Sequence, residues 1–520
     1  MPSFCFVRCC AGGLLGAALF VSAGRLGAAP PAEKAEDAPR PKRVAPELPP
    51  RPASLLDAQA EPIDLASALQ LAGVKNAEIM LARERVVEAV ALRQLAAAQI
   101  LPSLNVGTNF DSHTGPLQRS VGIIQKENRE ALYVGLGANA IGAGTVNIPG
   151  VVWAGNISEG IYARLITRQV VREREFGSAA VRNDVLLRVA DGYMELLRAE
   201  GRRAIAAQTR EEAREVARIT AKFATFGQGR DADANRAATE LETRDADVLQ
   251  AEGDVLTASA RLAQLLDLDP SPRLQATDGW VVPAPLVPDP IPLPELIAIA
   301  LMQRPELGER RAAIQETLLA LDAAKVLPFS PNVIVGYSAG TFGGGSNIAS
   351  DGTFGQQARF DSFAPRTDFD AVAYWTARNL GVGNLALVRL AQSNVRANNF
   401  REIEVLDRVR AEVATAYART HTRFAQIETG ERAVQTGAKA FQGDLVRTKN
   451  QQGLPIEVLD SLRLLGRSRY AYLDAIINYN RAQFELYVAL GQPPAKYLAR
   501  PVPADLVPPP AVASPAPAAK

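Results

Sequence analysis

The stretch LAAAQILPSLNVG (residues 95–107) joins the end of a helix-like segment to a β-like run through a proline. Proline disfavours helical geometry in the residue before it, so the stretch predicts a helix that ends and a strand that begins. The same pattern returns as LDAAKVLPFSPNVIVG (residues 321–336). A unit that occurs twice in one chain predicts two similar structural halves.

Similar segments flank both copies at nearly the same spacing. VKNAEI (74–79) corresponds to MQRPEL (302–307), and RLAQLLDLDP (261–270) corresponds to ELYVALGQPP (485–494). The predicted organisation of the 520-residue chain is a signal peptide (1–29), a Pro-rich leader (30–62), repeat 1 (63–270), a Pro-rich linker (271–292), repeat 2 (293–494) and a Pro-rich tail (495–520).

The N-terminus has the features of an export signal. Arg8 precedes an apolar run at residues 11–23, which is too short to span a membrane as a helix. The three cysteines of the chain, Cys5, Cys9 and Cys10, all precede this run. Removal of the signal would leave a chain without disulfides, which suits an exported bacterial protein.

The composition argues against several classes of function. The 57 basic and 56 acidic residues give a net charge of +1, so no global field favours binding of nucleic acid. His113 and His421 are the only histidines, one in a predicted loop and one in a predicted helix. Because they supply neither a catalytic triad nor a His-based metal site, we expect no enzyme activity, no cofactor and no metal centre.

Two glycine-rich segments have the outline of a dinucleotide-binding fingerprint. LGVGNLALVRLAQ (380–392) has the required spacing and is followed by Glu402. The helix that it opens is too long to return to a parallel strand, so its glycines are interpreted as the exit from a sheet into a helix. GLGANA (135–140) opens no helix and is the weaker match.

Each repeat is predicted to contain a helix, two strands, a long helix and a final helix. Repeat 1 has a helix at about 63–101, strands at about 104–111 and 130–142, and helices at 157–225 and 230–267. Repeat 2 has a first helix, strands at about 332–342 and 368–381, and helices at 384–450 and 455–491. The two long helices contain no proline and would each extend about 100 Å.

The predicted strands alternate between apolar residues and small or polar ones. Leu132, Val134 and Leu136 share one face of a strand, whereas Gly135 and Gly137 lie on the other. This alternation is typical of a membrane β-barrel, with a soluble sandwich as the alternative. Tyr374 and Trp375 are candidates for an interfacial aromatic belt.

Four strands are too few to close a barrel, which needs about eight, and lipid tolerates no open sheet edge. The sequence therefore predicts an oligomer, in which two chains would supply eight strands and three would supply twelve. The helices would multiply in the same way into a second tube, and a tube open at both ends is a conduit.

With these features the chain resembles the TolC-like outer membrane efflux protein family from about Asp64 to Pro494. The likeness is carried by the duplicated A-x-x-L-P helix end and by two tip motifs, FGQGRDADANRA (226–237) and QGLPIEVLDS (452–461). It implies an α+β membrane protein, a homotrimer whose twelve-stranded outer-membrane β-barrel, four strands per protomer, continues into a long periplasmic α-helical barrel.

The resemblance also implies a function and partners. The chain would be the outer-membrane channel of a tripartite efflux or type I secretion system. It would conduct cargo passively after docking to a periplasmic adaptor (membrane fusion) protein and an inner-membrane transporter. The alternative is an exported helical-hairpin scaffold or a periplasmic adaptor without channel activity, although an adaptor is expected to carry a β-domain and one hairpin.

The family likeness gives roles to charged residues of the tip motifs. Glu457 and Asp460 match the acids of the periplasmic aperture and would form a ring of six carboxylates in a trimer. The alternative is a solvated first helical turn, in which acids merely favour the helix N-terminus. Asp233 matches the acid of a lock between the tips, for which Arg447 or Lys449 would replace a missing basic partner.

The connections are predicted to face partners or solvent. Residues at the two tips are expected to form the adaptor docking surface, where glycine leaves the backbone exposed: Gly227, Gly229, Gly453, Leu454 and Pro455. Residues 112–129 and 343–366 are expected to be extracellular loops, since long connections of such barrels face outward.

Overall fold

Long helices dominate the structure, a computed structural model that describes residues 51–56, 59–118, 122–140, 144–277, 281–287, 291–346 and 361–494. These residues all belong to one unit, Glu47–Lys520. The predicted signal peptide, residues 30–50 of the predicted leader and the tail from residue 495 lie outside the described residues.

The α-helices of the described chain follow in this order: α1 (Leu65–Lys75), α2 (Ala77–Ala98), α3 (Ile157–Thr225), α4 (Asp231–Leu266), α5 (Leu293–Gln303), α6 (Pro305–Val326), α7 (Val382–Lys449) and α8 (Pro455–Ala489). Short 3-10 turns lie at Leu327–Phe329 and Arg378–Gly381. Within the described residues, no helix combines the length and the hydrophobicity of a membrane-spanning helix.

Helices α3 and α7 are 69 and 68 residues long, so each extends about 100 Å. Helix α3 begins at a capped end, where the Asn156 side chain accepts hydrogen bonds from the amides of Ser158 (3.0 Å) and Glu159 (3.3 Å). It ends next to Gly227, whose positive φ of 73° lets the chain reverse. Local capping and turn chemistry therefore set both ends.

The single helix predicted at 63–101 is wrong, because α1 and α2 are separate helices. The side chain of Asn76 accepts from the amide of Glu78 at 3.0 Å and starts a new helix. Its amide nitrogen also donates to the carbonyl of Leu265 at 2.9 Å, which ties this break to the end of α4. In the second half the break lies at Arg304, and Pro305 is the first residue of α6.

The helices lie side by side in one layer, here named the curtain. The part of the curtain near the strands contains different helices from the part far from them. Helix α3 packs against α2, α4, α6 and α8, and α7 packs against α6 and α8. Near the strands the order is α2, α3, α6, α7, and far from them it is α4, α3, α8, α7. Apolar residues at helical spacing hold α3 in place, and Val185, Val189, Tyr193 and Leu196 are fully buried.

The strands of the described chain are β1 (Ala60–Ile63), β2 (Ser103–Leu104), β3 (Val106–Gln118), β4 (Ile124–Ala138), β5 (Ile148–Pro149), β6 (Val151–Asn156), β7 (Arg273–Ala276), β8 (Asn332–Ser346) and β9 (Asp361–Tyr374). They form a small parallel pair and one larger antiparallel sheet.

The small pair joins β1 to β7 in parallel, with Ala60 opposite Arg273 and Ile63 opposite Ala276. Strand β1 begins in the predicted Pro-rich leader, and β7 lies in the predicted Pro-rich linker, so these parts of both segments pack on the helices. Neighbouring residues are anchored too: the amide of Leu55 donates to Glu252 at 2.7 Å, and the amide of Ala284 donates to Asn480 at 2.8 Å.

The larger sheet is four strands wide. Strand β8 pairs on one side with β9 and on the other with β4 and then β6, while β3 pairs with β4 and β2 pairs with β6. The sheet therefore has four rows of strands. Strands β2 and β3 lie end to end in one outer row, and β9 forms the other outer row. Among the residues that the structure describes, β2 with β3 on one side of the sheet and β9 on the other each leave one edge without a partner strand.

The predicted strand positions need correction. The strand expected at 104–111 continues to Gln118, and β4 already begins at Ile124, so most of the predicted loop 112–129 is a β-hairpin. Residues 343–346 and 361–366 of the other predicted loop are also in strands. The strand expected at 368–381 lies at Asp361–Tyr374. Asn379 and Leu380, in the last part of the predicted span, adopt left-handed backbone conformations that a strand does not allow. Strand β6 was not predicted.

The pairing of β8 with its neighbours is interrupted between β4 and β6. Leu136 is opposite Ala339, and the ladder resumes with Val151 opposite Tyr337, so only Ser338 of β8 lies between them. Residues 137–140 and 144–150, here named the excursion, depart from the pairing with β8 at this point and turn back on themselves, with Gly137 opposite Pro149.

Candidate functional site

The two helical turns farthest from the sheet lie side by side and form the tip of the molecule. The first turn connects α3 to α4 and the second connects α7 to α8. The side-chain amide of Gln451 donates to that of Gln228 across the two turns at 2.8 Å. The two sequence motifs, residues 226–237 and 452–461, therefore lie next to each other.

The tip glycines have packing reasons of their own. A Cβ added to Gly453 would lie 3.1 Å from the Cβ of Arg447, and one added to Gly229 would lie 3.0 Å from the Cβ of Phe223. Gly227 has open space around it and needs its positive φ. These glycines let each turn fold closely onto its own helix, and their predicted role in docking stays a prediction.

Apolar side chains are exposed at both turns. Leu454 is 61% exposed and Phe226 is 76% exposed, although the surrounding residues are polar. Leu454 is among the predicted docking residues, whereas Phe226 was not singled out. The sequence did contain a signal for Phe226, since an aromatic residue stands there immediately before a glycine-rich turn.

Glu457 lies in the first turn of α8 and acts on that helix. Its carboxylate accepts a hydrogen bond from the amide of Leu454 at 3.2 Å, and Pro455 occupies the first helical turn as well. A Glu at this position satisfies a free amide and complements the positive end of the helix dipole. The solvated-turn interpretation thus accounts for the contact that Glu457 makes within one chain.

Asp460 is one turn further along the same face. Its side chain is 68% exposed and lies 3.8 Å from Arg463. An exposed pair at this distance contributes little to stability. Most of the Asp460 carboxylate surface is free to face solvent or neighbouring chains.

The residues of the predicted lock have other partners within one protomer. Asp233 pairs with Arg236 of its own helix at 3.1 Å, and Lys449 pairs with Glu215 of α3 at 3.2 Å. Burial raises the pKa of Glu215, but hydrogen bonds from Arg218 and Lys449 outweigh this and leave it below its ordinary value. Arg447 packs beneath Gly453. A lock between chains stays a prediction.

A buried carboxylate that the motifs did not reveal connects the two helical hairpins. Glu240 of α4 is only 4% exposed and accepts hydrogen bonds from Arg463 of α8 (3.1 Å) and Arg244 of α4 (2.9 Å). Burial raises its pKa, but these two guanidinium groups outweigh burial and leave the pKa below its ordinary value. Its position between Ala237 and Leu241, on the buried stripe of α4, was the available signal.

A second bridge and an apolar cluster complete the contact between the hairpins. Arg469 of α8 binds both carboxylate oxygens of Glu212 in α3, at 2.7 and 2.8 Å. The cluster contains residues of all four helices at this end: Ala213, Val216, Ala217, Ala237, Leu241, Phe441, Val458, Leu459, Leu462 and Leu465. The tip is thus held by packing as well as by charge.

The larger sheet has two chemically different faces. One, here named the apolar face, exposes large hydrophobic side chains: Val106, Phe110, Val134, Tyr337, Phe363 and Phe369. The other, here named the polar face, carries Asn109, Asp111, Arg129, Arg366 and Asp368, with Arg366 bound to Asp368 at 2.9 Å. The alternation predicted from sequence is therefore present in the sheet.

Two tryptophans mark the junction between sheet and helices. The indole of Trp153 donates to the carbonyl of Gln99 at 2.9 Å, and that of Trp375 donates to the carbonyl of Phe329 at 3.2 Å. Each therefore hydrogen-bonds the chain where the helix before the sheet ends. Trp375 and Tyr374 are exposed at this level.

Among the described residues, no group of three His, Cys, Asp or Glu side chains is arranged to hold a metal ion.

Comparison with known proteins identifies the fold. No family model matches the sequence, and no curated protein matches it. Solved structures do match. The Campylobacter jejuni CmeC outer membrane channel is 14% identical, with a TM-score of 0.68 over 82% of this chain and 85% of that one. The Neisseria gonorrhoeae MtrE outer membrane channel in its open state is 17% identical, with a TM-score of 0.61 over 84% and 90%.

A third match, the Vibrio cholerae outer membrane protein VceC, is 15% identical, with a TM-score of 0.62 over 82% of this chain and 96% of that one. At these identities the comparison establishes the fold. The predicted resemblance to TolC-like proteins is confirmed at that level, with long helices and a sheet arranged as in outer membrane channels. These neighbours are channels or outer membrane proteins rather than enzymes.

Proposed function

We propose that this chain, which has the fold of outer membrane channels, is the channel component of an efflux system and lies in the outer membrane with its helices in the periplasm. The observation that carries the proposal is the larger sheet. Its exposed apolar face suits lipid, and it continues directly into helices about 100 Å long.

The two free edges of the sheet require further copies of the chain. Backbone groups at an open edge cannot be left unpaired in hydrocarbon, and four strands do not close on themselves. The outer row β2 and β3 follows α2, and the other outer row, β9, leads through a 3-10 turn into α7. Near the strands the outer helices are α2 and α7, and far from them they are α4 and α7, so one rotation between copies would close both the sheet and the helical layer.

The outer helices support this assembly with exposed apolar side chains. On α2 these include Met80, Leu81, Val87, Leu92 and Leu95; on α7 they include Leu385, Leu390, Phe400, Ile403 and Phe424. Contact between the α7 side of one copy and the α2 side of the next would cover them and generate a ring. With four strands from each chain, a homotrimer gives the twelve-stranded barrel implied by the resemblance.

In this assembly the tip would dock to a periplasmic adaptor, which would connect the channel to an inner-membrane transporter in a tripartite or type I system. Transport through the chain itself would be passive, and the pump would select the cargo. The alternative, an exported scaffold or adaptor without channel activity, leaves the exposed apolar face of the sheet without a function.

The topology is tested by cysteine labelling in a chain freed of its three N-terminal cysteines. Ile123 lies at the connection between β3 and β4 and is exposed, and Gln228 is exposed at the tip. We expect Ile123→Cys to react with a membrane-impermeant maleimide in intact cells, and Gln228→Cys to react only after the outer membrane is permeabilised. The reverse pattern would refute the proposed orientation.

The aperture proposal for Glu457 and Asp460 is tested by cation block in a planar bilayer. The double variant Glu457→Gln and Asp460→Asn removes the charges but keeps an acceptor for the Leu454 amide, so α8 should retain its cap. We expect block by trivalent cations from the periplasmic side to weaken by about tenfold or more, as charged rings bind cations. Glu404→Gln, which removes an exposed acid of α7 away from the tip, serves as the matched control. Unchanged block in the double variant would leave both acids with the solvated-turn role alone.

A further inference from the structure

The excursion between β4 and β6 lies against the polar face of the sheet. The Oδ1 atom of Asn109 accepts from the amide of Ala140 at 3.0 Å, and the hydroxyl of Ser338 accepts from the amide of Gly150 at 3.1 Å. Asn105 supplies a third anchor, since its side chain donates to the carbonyl of Pro149 at 2.8 Å. These contacts come from rows on both sides of β4.

Apolar and charged contacts also hold the excursion on the sheet. Tyr133 is fully buried beneath Ala140 and Val146, and its hydroxyl donates to the carbonyl of Leu136 at 2.7 Å. Arg366, on β9, donates to the carbonyl of Gly144 and lies with its guanidinium carbon 5.2 Å from the centre of the Phe342 ring. The excursion is therefore fastened across the full width of the sheet.

Glycines of the sheet make room for the excursion. A Cβ at Gly336 would lie 2.8 Å from Pro149, and a Cβ at Gly107 would lie 3.1 Å from the Cβ of Ala138. A Cβ at Gly340 would lie 2.7 Å from the ring of Tyr133, which supports the excursion. Larger residues at these positions would lift it off the sheet. The fit shows a built element rather than a tolerated insertion.

The outward side of the excursion is uncharged. Thr145, Asn147 and Ile148 are exposed, whereas Val146 is buried against the sheet. Two ion pairs of the polar face lie beside it, Arg129 with Asp111 at 3.8 Å and Arg366 with Asp368. A passing solute would thus meet the neutral side chains of the excursion in front of these ion pairs.

We infer that the excursion narrows the β-barrel from within, and that Thr145, Asn147 and Ile148 form a neutral ring that selects solutes by size. The inference rests on the proposed function, because the polar face becomes the lumen only when several copies close the barrel. Each copy adds one excursion at the same height, so the narrowing is symmetric. This ring lies in the barrel, at the opposite end of the long helices from the tip acids.

The register of the sheet shows which residues can be deleted without shifting the pairing of β8. Removing residues 138–150 joins Gly137 to Val151 and leaves one residue opposite Ser338, as in an uninterrupted ladder. In planar bilayers we expect the deletion to raise single-channel conductance at least about twofold and to admit larger polyethylene glycols. The sign of the ion selectivity should be unchanged, because the ring carries no charge.

A second set of variants does not depend on refolding of the sheet. In the chain without its N-terminal cysteines, Thr145→Cys and Ile148→Cys are each treated with a bulky cationic methanethiosulfonate. We expect stepwise loss of current, at least about halving it. Val134→Cys, which is exposed on the apolar face, is the matched control and should keep its current.

The outcomes separate the two proposals. A chain that opens no channel would overturn the proposed function and this inference together. A chain that conducts, but whose current is insensitive to modification at Thr145 and Ile148, would overturn the inference alone. Modification that changes the current equally at Val134 would also overturn it.

Discussion

Replacing Leu454 or Phe226 with glutamate is expected to abolish efflux while leaving the assembled protein intact. Both side chains are largely exposed at the tip, so a charge there disturbs no packing within the chain. If an adaptor covers these residues, each introduced carboxylate loses its hydration without a partner, which costs several kcal/mol, on the order of a thousandfold in affinity. Cells carrying either variant should become as sensitive to an exported toxic compound as cells without the gene.

Conservative replacements separate docking from folding. Leu454→Met retains an apolar side chain of similar size and should retain efflux. The glutamate variants should keep the thermal midpoint of the native oligomer and lose only crosslinking to the adaptor. Full efflux in both glutamate variants would show that the adaptor docks elsewhere on the protein.

Replacement of Glu240 by alanine is expected to destabilise the contact between the two helical hairpins by about 2–4 kcal/mol. The substitution leaves Arg244 and Arg463 without their shared buried partner. Arg463 is about half exposed and can recover water, which keeps the loss below the upper end of that range. The thermal midpoint of the purified protein measures it.

The interaction of Glu240 with Arg244 and Arg463 also predicts how the stability of the protein depends on pH. The folded pKa of Glu240 is below the ordinary value of 4.5, so its stabilising effect is present above pH 4.5 and is lost as the pH falls through the folded pKa. The wild-type midpoint should therefore fall more on acidification than that of Glu240→Ala. Glu404→Gln, which removes an exposed pair with Arg408, is the matched control and should cost under about 0.5 kcal/mol. Equal costs for the two substitutions would exclude a structural role for Glu240.

The sequence was most informative where one local rule acted over a long stretch. The long helices could be predicted because no proline interrupts them and apolar residues recur at helical spacing. The strands were placed less well, since Ser112 and His113 alternate without the apolar residues that reveal a strand in contact with lipid. Polar strand ends look like loops, and only pairing with Glu130 and Arg129 identifies them.

Other features depend on distant parts of the chain and could not be predicted. Strands β1 and β7 are four residues each, in proline-rich surroundings, and they are ordered by their mutual pairing and by contacts of β7 with Ser259 and Glu200. Glu240 has the appearance of one more charged helical residue until α8 brings Arg463 beside it. At the tip, the motif located Glu457 correctly on the first turn of α8, but its hydrogen bond to the Leu454 amide depends on the cap geometry.

The parallel pair of β1 and β7 has a consequence for the order in which an exported chain folds. Its two strands are both available once residue 276 has left the translocation machinery, so they can close around α1, α3 and α4 while the second half is still inside. Strands β4 and β6 have no such early partner, because β8 lies in the second half. Until β8 emerges, the first two rows present an unpaired edge in aqueous surroundings, a state that is prone to aggregate. Chaperone demand during biogenesis should therefore be greatest between the release of residues 156 and 346, and should fall once the third row is in place.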